Sequence, residues 1–287
     1  MKWIAKENIP ILDALAQMAP DSSKTTHKSW LKERRVLVDG EVITTWKTIL
    51  HTGQRLSLAS KTTYLSYGIQ VLHQDDDLIV IDKPESLLSV ATDFEKEMTV
   101  HAILKRKFRP KKVCVVHRLD QDTSGVMLFA LSERAQQLLK SEFEKHNIER
   151  GYVAIVEGHL NESAGSWQSY LYEDGNYVVH STPDAKKGEL AITHYSLQGT
   201  SRNYSWLDIR LETGKKNQIR VHCQDAGHPV AGDKKYGAET DPIGRLCLHA
   251  YLLGFRHPIT KKAMQFKSAV PEKFYKILKP VQDASND

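Results

Sequence analysis

The sequence contains few cysteines and no long apolar run. Only Cys114, Cys223 and Cys247 occur among its 287 residues, and they form no CxxC pair. An odd, widely spaced set predicts neither a disulfide framework nor a structural zinc site. No stretch approaches the roughly 18 apolar residues that a membrane helix needs, and the start MKWIAKENIP lacks the apolar segment of a secretion signal. These absences predict a cytoplasmic protein with no membrane partner.

Positive charge is modest overall but concentrated in one run. The formal net charge is +5 and the sequence pI is about 8.9, values that suit an anionic partner without requiring one. The run KRKFRPKK, residues 105–112, has six basic residues in eight, with Phe108 among them. Such a run is usually a solvated helix end, but it can also follow a phosphate backbone.

The chain divides into two parts of different character. Residues 1–60 contain two helix-like stretches, ILDALAQM and KSWLKERR, and then VLVDGEVI, in which Asp39-Gly40 is a strong hairpin signal. This part is mildly basic, with nine Lys or Arg against six Asp or Glu. We therefore predict a small α/β module over residues 1–60, a linker rich in Ser and Thr over 61–67, and a larger domain over 68–287.

The larger domain is rich in segments with strand character. The predicted strands are GIQVLHQ, DLIVIDKP, GVMLFAL, GYVAIVEG, THYSLQG, SWLDIRLET and AYLLGF. The predicted helices are TVHAILKRKF, SERAQQLLKSEFEKH with Ser132 as its N-cap, NQIRVHCQDAG and PEKFYKIL. Because strands dominate without regular βαβ alternation, the pattern favours an α+β fold on a mainly antiparallel, mixed β-sheet over a doubly wound fold.

The segment VVHRLDQDTSGVMLFA, residues 115–130, places polar residues between two strand-like runs. In an extended segment, side chains two positions apart share a face, so Arg118 and Asp120 are candidates for one site. A local surface ion pair between them would explain the spacing equally well. Gly125 after Ser124 predicts a close approach by another backbone or a ligand.

A second polar cluster is TGKKNQIRVHCQDAGHPVAGDKKYG, residues 213–237. The NQIRVH portion has helical spacing, so Gln218, His222 and Asp225 cannot all face a core. Taken alone, this segment is most simply an exposed basic helix. Tyr152, in ERGYVAIVEG, is on spacing alone a core residue.

Histidine spacing gives no support for a metal site. A zincin-type site needs two histidines four residues apart on a helix, with an acid beside the first. None of the following has that spacing: His222, His228, His249 and His257. The sequence therefore predicts no metal.

The segment HRLDQDTSG resembles the active-site signature of the RluA-like pseudouridine synthases, which isomerise selected uridines in RNA without a cofactor. Further segments are similar to the family in the same order: LIVIDKP with LSV after it, RGYVAIVEG, TGKKNQIRVHCQDAGHPVAGDKKYG, LCLHAYLLGFRHP and the closing SAVPEKFYKIL. The resemblance covers residues 68–280 and implies a catalytic domain of pseudouridine synthase type. In the N-terminal module, WLKERRVLVDGEVI and LHTGQRLSL resemble the small αL RNA-binding domain named after a ribosomal small-subunit protein.

The resemblance implies roles for individual residues. Asp120 matches the family's catalytic aspartate, and Arg220 the cation that keeps it ionised. Arg118 would fill the space that the flipped uridine leaves in the RNA stack. Tyr152 matches the active-site tyrosine, which can stack on the uracil and help remove its ring proton.

The remaining candidates are contacts rather than chemical participants. Leu248 is a candidate wall of the base pocket. Candidate phosphate contacts are Thr123, Ser124, Lys215 and Lys216.

Three positions depart from the family pattern. Lys215 and Asn217 stand where the family usually has arginine and histidine, and Arg150 stands where lysine is common. Lysine cannot form a bidentate fork with phosphate, and asparagine cannot titrate. The departures at Lys215 and Asn217 therefore predict altered RNA contacts or altered specificity.

The sequence leaves the substrate and the rival functions open. Large-subunit ribosomal RNA is the favoured substrate, because an added RNA-binding module suits a large structured RNA, and transfer RNA is the alternative. A catalytically idle RNA-binding assembly factor is a rival from another class. A metal-dependent nuclease would need a carboxylate cluster around Asp120, where Asp122 is the only close acid. A monomer is expected.

Overall fold

The computed structural model describes residues 2–33, 35–59 and 63–278, and the chain folds as two compact units, Met1–Thr63 and Tyr64–Asp287. The sequence predicted a linker at 61–67, of which residues 61 and 62 lie outside the described part. Thr63–Tyr64 is a two-residue strand, and Ser66–Gly68 is a 3-10 turn. No helix in the described part of the chain is long and apolar enough to cross a membrane.

The first unit contains short strands and two helices. They are β1 Lys2–Ile4, β2 Ile9–Pro10, α1 Ile11–Met18, α2 Lys24–Lys32, β3 Val36–Val38, β4 Glu41–Ile43, β5 Ile49–Leu50 and β6 Arg55–Leu58. The main sheet is antiparallel, in the order β1-β6-β3-β4. Asp39 (φ 51°) and Gly40 (φ 93°) form the turn between β3 and β4, so the predicted hairpin is confirmed.

The two helices of this unit close a separate core. Helix α1 buries Ile11, Ala14 and Leu15, which recur at the i, i+3, i+4 spacing of one helix face. Helix α2 begins four residues before the predicted segment, because the Ser23 hydroxyl caps it by accepting a hydrogen bond of 3.2 Å from the Thr26 N–H.

Apart from Thr63, the first residue of β7, the remaining elements lie in the second unit. The strands are β7 Thr63–Tyr64, β8 Gln70–Gln74, β9 Leu78–Lys83, β10 Cys114–Val115, β11 Ser124–Ala130, β12 Glu149–Glu157, β13 Ala164–Glu173, β14 Val179–Thr182, β15 Glu189–Thr200, β16 Tyr204–Leu211, β17 Leu248–Arg256 and β18 Ala263–Lys267. The helices are α3 Val100–Lys107, α4 Glu133–Glu144, α5 Gln218–Asp225 and α6 Glu272–Leu278. All the strands and helices predicted for this unit are present, and Ser132 caps α4. Strands β7, β13, β14 and β18 were not predicted, whereas β10 overlaps the first of the two strand-like runs in residues 115–130.

One large mixed sheet organises this unit. Its order is β14-β13-β15-β16-β12-β17-β11-β9-β8-β7, with β10 on β11 and β18 on β17. The β11–β17 pair is parallel, and it lies at the centre. There Gly125 has φ 120°, and a Cβ on it would lie 2.1 Å from the carbonyl oxygen of Ala250. Only glycine permits this approach, as the sequence predicted, and the α+β fold on a mainly antiparallel sheet is confirmed.

The central strands are buried on both faces. In β9, Ile79 and Ile81 join the core that contains α3, whereas Leu78 and Val80 join the core under α4. Because side chains alternate along a strand, a continuous apolar run places helices on both sides of the sheet. The loops at the ends of these strands are thereby held on a rigid support.

Helix α5 is largely buried, so the interpretation of this segment as an exposed basic helix was wrong. Gln218 and His222 are each only 2% exposed, while Asp225 is exposed. The His222 ring is hydrogen-bonded through Nδ1 to Thr193 (2.8 Å) and through Nε2 to Ser169 (3.0 Å). Partners on distant strands make burial of these polar groups possible.

Candidate active site

The loop between β10 and β11 carries Arg118 and Asp120, and its backbone is fixed on both sides of Asp120. The Ser89 hydroxyl donates to the Leu119 carbonyl (2.6 Å) and accepts from the Leu119 N–H (3.1 Å). On the other side, Lys83 Nζ donates to the Gln121 carbonyl at 2.7 Å. A carboxylate on a loop held in this way is preorganised.

Lys83 is a buried amine at the end of β9. It is 1% exposed, and its Nζ also donates to the carbonyls of Pro84 (2.9 Å) and Leu87 (2.7 Å). Burial lowers the pKa of Lys83 to about 7, against the opposing charges of Asp122 and Asp120. The sequence pointed to no partner for this lysine, which follows Asp82 in a strand whose other residues are apolar.

The Asp120 carboxylate faces two donors from the start of α5. Its Oδ2 accepts a 2.7 Å hydrogen bond from Asn217 Nδ2 and lies 3.5 Å from Arg220 Nη1. Arg220 is itself held by a fork to Asp233, with Nε and Nη2 at 2.6 and 2.7 Å from its two oxygens. Burial opposes the charge on Arg220, but the hydrogen bonds and charge of Asp233 outweigh it and raise the pKa of the guanidinium.

Asn217 is oriented by a chain of hydrogen bonds. The Tyr236 hydroxyl accepts from the Val179 N–H (3.2 Å) and donates to Asn217 Oδ1 (3.1 Å). The side-chain NH₂ of Asn217 is therefore directed at Asp120. The residue has φ 53°, a left-handed conformation that asparagine tolerates better than most residues.

Arg118, Asp120 and Tyr152 line one cleft of about 780 Å³ together with Lys215 and Lys216. Arg118 is exposed and, within the described part of the chain, pairs with no acid, so the surface ion pair with Asp120 does not form. Tyr152 is 9% exposed and belongs to the core, yet it borders the cleft. Burial raises the pKa of its hydroxyl, partly opposed by the charge of Arg150, so the hydroxyl is protonated at neutral pH.

A smaller pocket adjoins the cleft beneath Asp120. It is bordered by Thr123, Arg220 and Leu248 as well as by Arg118, Asp120 and Tyr152. Leu248 is 3% exposed, and the Thr123 hydroxyl is buried without a hydrogen-bond partner in the described structure. That hydroxyl is therefore free to bond a polar atom that enters the pocket.

The other candidate phosphate contacts differ in availability. Lys215 pairs with Glu189 (3.0 Å) and Lys216 with Glu173, at the rim of the cleft. Such part-exposed pairs are weak, so an RNA phosphate can replace the acid. Ser124 lines neither cavity, and its hydroxyl is occupied by His249 (2.8 Å) and Arg245 (2.9 Å). This environment favours a supporting role for Ser124.

Arg150, the third departure from the family pattern, lies in the cleft wall. Its Nη2 donates to the Glu212 carbonyl at 2.8 Å. A Cβ at position 214 would lie 2.2 Å from Arg150 Nη1, so Gly214 leaves the space that this arginine occupies. Arg150 thus fixes the segment that carries Lys215.

One group in the described residues has the composition of a metal site: Asp75, Asp77 and His257. His257 Nδ1 accepts from the N–H groups of Ile259 (3.2 Å) and Thr260 (3.0 Å). In the neutral ring the proton then lies on Nε2, which donates to Asp75 at 3.1 Å. Both nitrogens are engaged, so this group does not offer a histidine ligand.

Comparisons with known proteins bear on the family and the fold of the chain. A family model described as RNA pseudouridylate synthase matches residues 77–225, just over half of the chain. A protein of Vibrio parahaemolyticus named ribosomal large subunit pseudouridine synthase D is 31% identical, with 90% of this chain and 86% of that one covered. A Pasteurella multocida protein of the same name is 28% identical, with 94% and 90% covered. The structure of human RNA pseudouridylate synthase domain containing 4 covers 72% of this chain and 92% of its own, at TM-score 0.58 and 20% identity.

The family model and the identity to a relative define the class: the chain belongs to the RNA pseudouridylate synthase family. The structural likeness agrees at the level of the fold. Within that family it is an isomerase that converts uridine to pseudouridine in RNA.

Proposed function

We propose that this enzyme modifies large-subunit ribosomal RNA and that Asp120 is its catalytic carboxylate. The observation that carries the assignment of Asp120 is its position at the cleft, 2.7 Å from Asn217 Nδ2 and 3.5 Å from the charged Arg220. The names of the relatives support the choice of RNA. The proposal includes the cytoplasmic location expected from the sequence, and the monomeric state stays a prediction.

The reaction breaks the bond between ribose and a ring nitrogen, turns the uracil, and rejoins it through a ring carbon. The uridine must leave its stack, which costs a few kcal/mol and less in a loop or bulge. Arg118, which is exposed and unpaired among the described residues, would fill the vacated space. Its planar guanidinium can stack on the neighbouring bases.

Asp120 acts on the extruded nucleotide as an ionised carboxylate. The fork to Asp233 keeps Arg220 charged and in place, so that its free Nη1 supports the negative charge of Asp120. Tyr152 borders both cavities and offers a ring for stacking on the uracil. Because its hydroxyl is protonated, it could take the ring proton only while passing its own proton on, which the ring nitrogen freed from ribose can accept. The unpartnered Thr123 hydroxyl is available to a polar atom of the uracil or ribose.

The first unit would serve as an RNA-binding module. Lys24, Lys28 and Lys32 are exposed and follow one another at four-residue spacing along α2, which forms a basic ridge. Trp46 is 55% exposed in the same unit. If the ridge contacts phosphates, replacing the three lysines by alanine will weaken RNA binding and reduce its salt dependence.

The test compares Asp120→Asn with Asp122→Asn, which changes a neighbouring exposed acid of the same loop. With ribosomal RNA as substrate, Asp120→Asn should abolish pseudouridine formation while RNA affinity and thermal unfolding stay near wild type. Asp122→Asn should remain active. Full activity of Asp120→Asn would overturn the catalytic assignment.

A pseudouridine map of the host identifies the substrate. Loss of sites in large-subunit ribosomal RNA of the Asp120→Asn strain is the expected result. Loss confined to transfer RNA would replace the proposed substrate with the alternative.

A further inference from the structure

A second groove of about 620 Å³ lies against α3, outside the catalytic cleft. Its walls come from the loop before α3 and from the segment between α3 and β10, and they include Ala91, Lys96, Lys105, Arg109 and Cys114. The basic run 105–112, which the catalytic site does not use, forms much of this wall.

The groove retains positive charge after its internal ion pairs are counted. Arg106 pairs with Glu97 (2.7 Å), Lys111 with Asp76 (3.0 Å) and Lys112 with Glu133 (2.5 Å). Three further cations of the wall are exposed and meet no acid in the described part of the chain: Lys96, Lys105 and Arg109. Cations at the end of a helix are often explained by the helix dipole, but Lys96 and Arg109 lie outside α3.

An aromatic ring stands in the loop that forms one wall. Phe94 is 95% exposed. The turn that carries it is closed by a bond from the Thr92 N–H to the Glu95 carbonyl (2.9 Å) and one from the Glu95 N–H to the Thr92 hydroxyl (3.1 Å). Phe94 is therefore presented to solvent by an ordered turn.

The same turn is attached to α3. The Glu95 carboxylate accepts from the N–H groups of Glu97 (2.7 Å) and Met98 (2.9 Å), and Arg106 binds the Glu97 side chain. The turn that carries Phe94 is thus tied to the helix that carries the groove cations Lys105 and Arg106.

The chain segment that lines the groove leads directly into the segment that lines the catalytic cleft. Cys114 lines the groove, while Val116 and Arg118 line the cleft. Cys114 and Arg118 are four residues apart in sequence, so their backbones lie at most about 14 Å apart. Roughly four nucleotides of one RNA strand, at ~3.4 Å each, cover that distance. A strand whose uridine enters the cleft can therefore reach the groove.

We propose that this groove binds an unpaired stretch of the substrate RNA that flanks the target uridine. Lys96, Lys105 and Arg109 contact its phosphates, and Phe94 stacks on one of its bases. A basic track beside an exposed aromatic ring is the arrangement with which proteins hold single-stranded RNA. This proposal rests on the proposed function, and it adds the location at which the protein binds the RNA that flanks the target uridine.

The test uses the full-length protein with two variants and matched controls. Phe94→Ala removes the ring, and Lys96→Ala with Lys105→Ala removes two groove cations. Phe94→Tyr keeps an aromatic ring. Lys262→Ala with Lys267→Ala removes two exposed lysines that lie elsewhere in the same unit and line neither the groove nor the cleft.

Affinity for a ribosomal RNA fragment with single-stranded flanks is measured as a function of salt. Phe94→Ala should raise Kd about fivefold or more with an unchanged salt slope, and Phe94→Tyr should restore affinity. The variant with Lys96→Ala and Lys105→Ala should raise Kd and reduce the slope of log Kd against log salt. The expected reduction is about 1.4, because each of the two phosphates that lose their lysine contact contributes ~0.7. Both variants should raise KM for pseudouridine formation and keep kcat, and the control pair should change neither.

The proposal would be overturned if Phe94→Ala and the variant with Lys96→Ala and Lys105→Ala kept the wild-type Kd and salt slope for RNA. It would also be overturned if these variants lost affinity only for assembled ribosomal particles, because that result would indicate a protein partner. The proposed function fails separately, through absence of pseudouridine in ribosomal RNA with the wild-type enzyme. If only the groove proposal is wrong, the wild-type enzyme still forms pseudouridine in ribosomal RNA.

Discussion

Asn217 gives the Asp120 carboxylate a hydrogen bond that does not depend on pH, because an amide does not titrate. Asn217→Asp would place a second carboxylate where the amide now lies, 2.7 Å from Asp120 Oδ2. Two carboxylates so close share a proton, so the acid limb of the pH–rate profile should move to higher pH. Pseudouridine formation measured under single-turnover conditions from pH 5 to 8 tests this.

Asn217→Gly is the control, since glycine adopts the left-handed backbone and removes only the amide. It should lower kcat by roughly tenfold or more, the value of a hydrogen bond to a charged group, with a smaller movement of the acid limb. Coincident pH profiles for wild type and both variants would refute the positioning role of Asn217.

The sequence predicted the residues of this site better than their connections. Arg118, Asp120, Tyr152 and Arg220 were named from sequence, and all four border the smaller pocket that adjoins the cleft. The bond from Asn217 to Asp120 and the orientation of Asn217 by Tyr236 were not foreseen. They depend on side chains that only the folded sheet brings together.

At the scale of elements, the loop that carries Asp120 depends on Ser89. Ser89→Ala leaves the buried N–H and carbonyl of Leu119 without their partner, so the free energy of unfolding should fall by ~2 kcal/mol. Because the carboxylate is then less well positioned, kcat should fall about tenfold or more. Urea unfolding and single-turnover assays measure the two effects.

Ser132→Ala is the matched control, because it removes the N-cap of α4 at a cost of ~1 kcal/mol and leaves the loop unchanged. Its kcat should equal that of wild type. If both serine variants lost activity in proportion to stability, loop positioning would not be the cause.

Elements with continuous apolar runs, such as β9 and β11, were recognisable from sequence because they are buried on both faces. Strand β13 was missed, since AGSWQSYLYE alternates exposed and part-buried positions and contains few strongly apolar residues. Its extended form depends on pairing with β14 and β15. The position of helix α5 was predicted correctly. Its burial was not predicted, because the partners of its polar groups lie on distant strands.

At the scale of the whole molecule, buried neutral histidines should make stability depend on pH. Burial lowers the pKa of His222 to about 4, and burial together with the charge of Arg245 lowers that of His249 to about 4. The unfolded chain takes up these protons near pH 6.5, and the folded chain only near pH 4. The free energy of unfolding should therefore fall as pH drops from about 6.5 to about 4, by up to ~3 kcal/mol per histidine.

Urea unfolding at several pH values in that window measures the slope. His222→Asn should flatten it, whereas His146→Asn, at an exposed position with φ 58°, should not. A wild-type stability that is constant from pH 6.5 to 4 would contradict the assignment of these buried histidines as neutral.

The separation in sequence between the two sides of the active site has a kinetic consequence. Asp120 and Asn217 are 97 positions apart, and Asp120 and Arg220 are 100 apart. Contacts of such high order close large loops and form late, after local helices and hairpins. We therefore expect a chain that is still being synthesised to lack the proposed catalytic arrangement until the segment that carries Asn217 and Arg220 has left the ribosome.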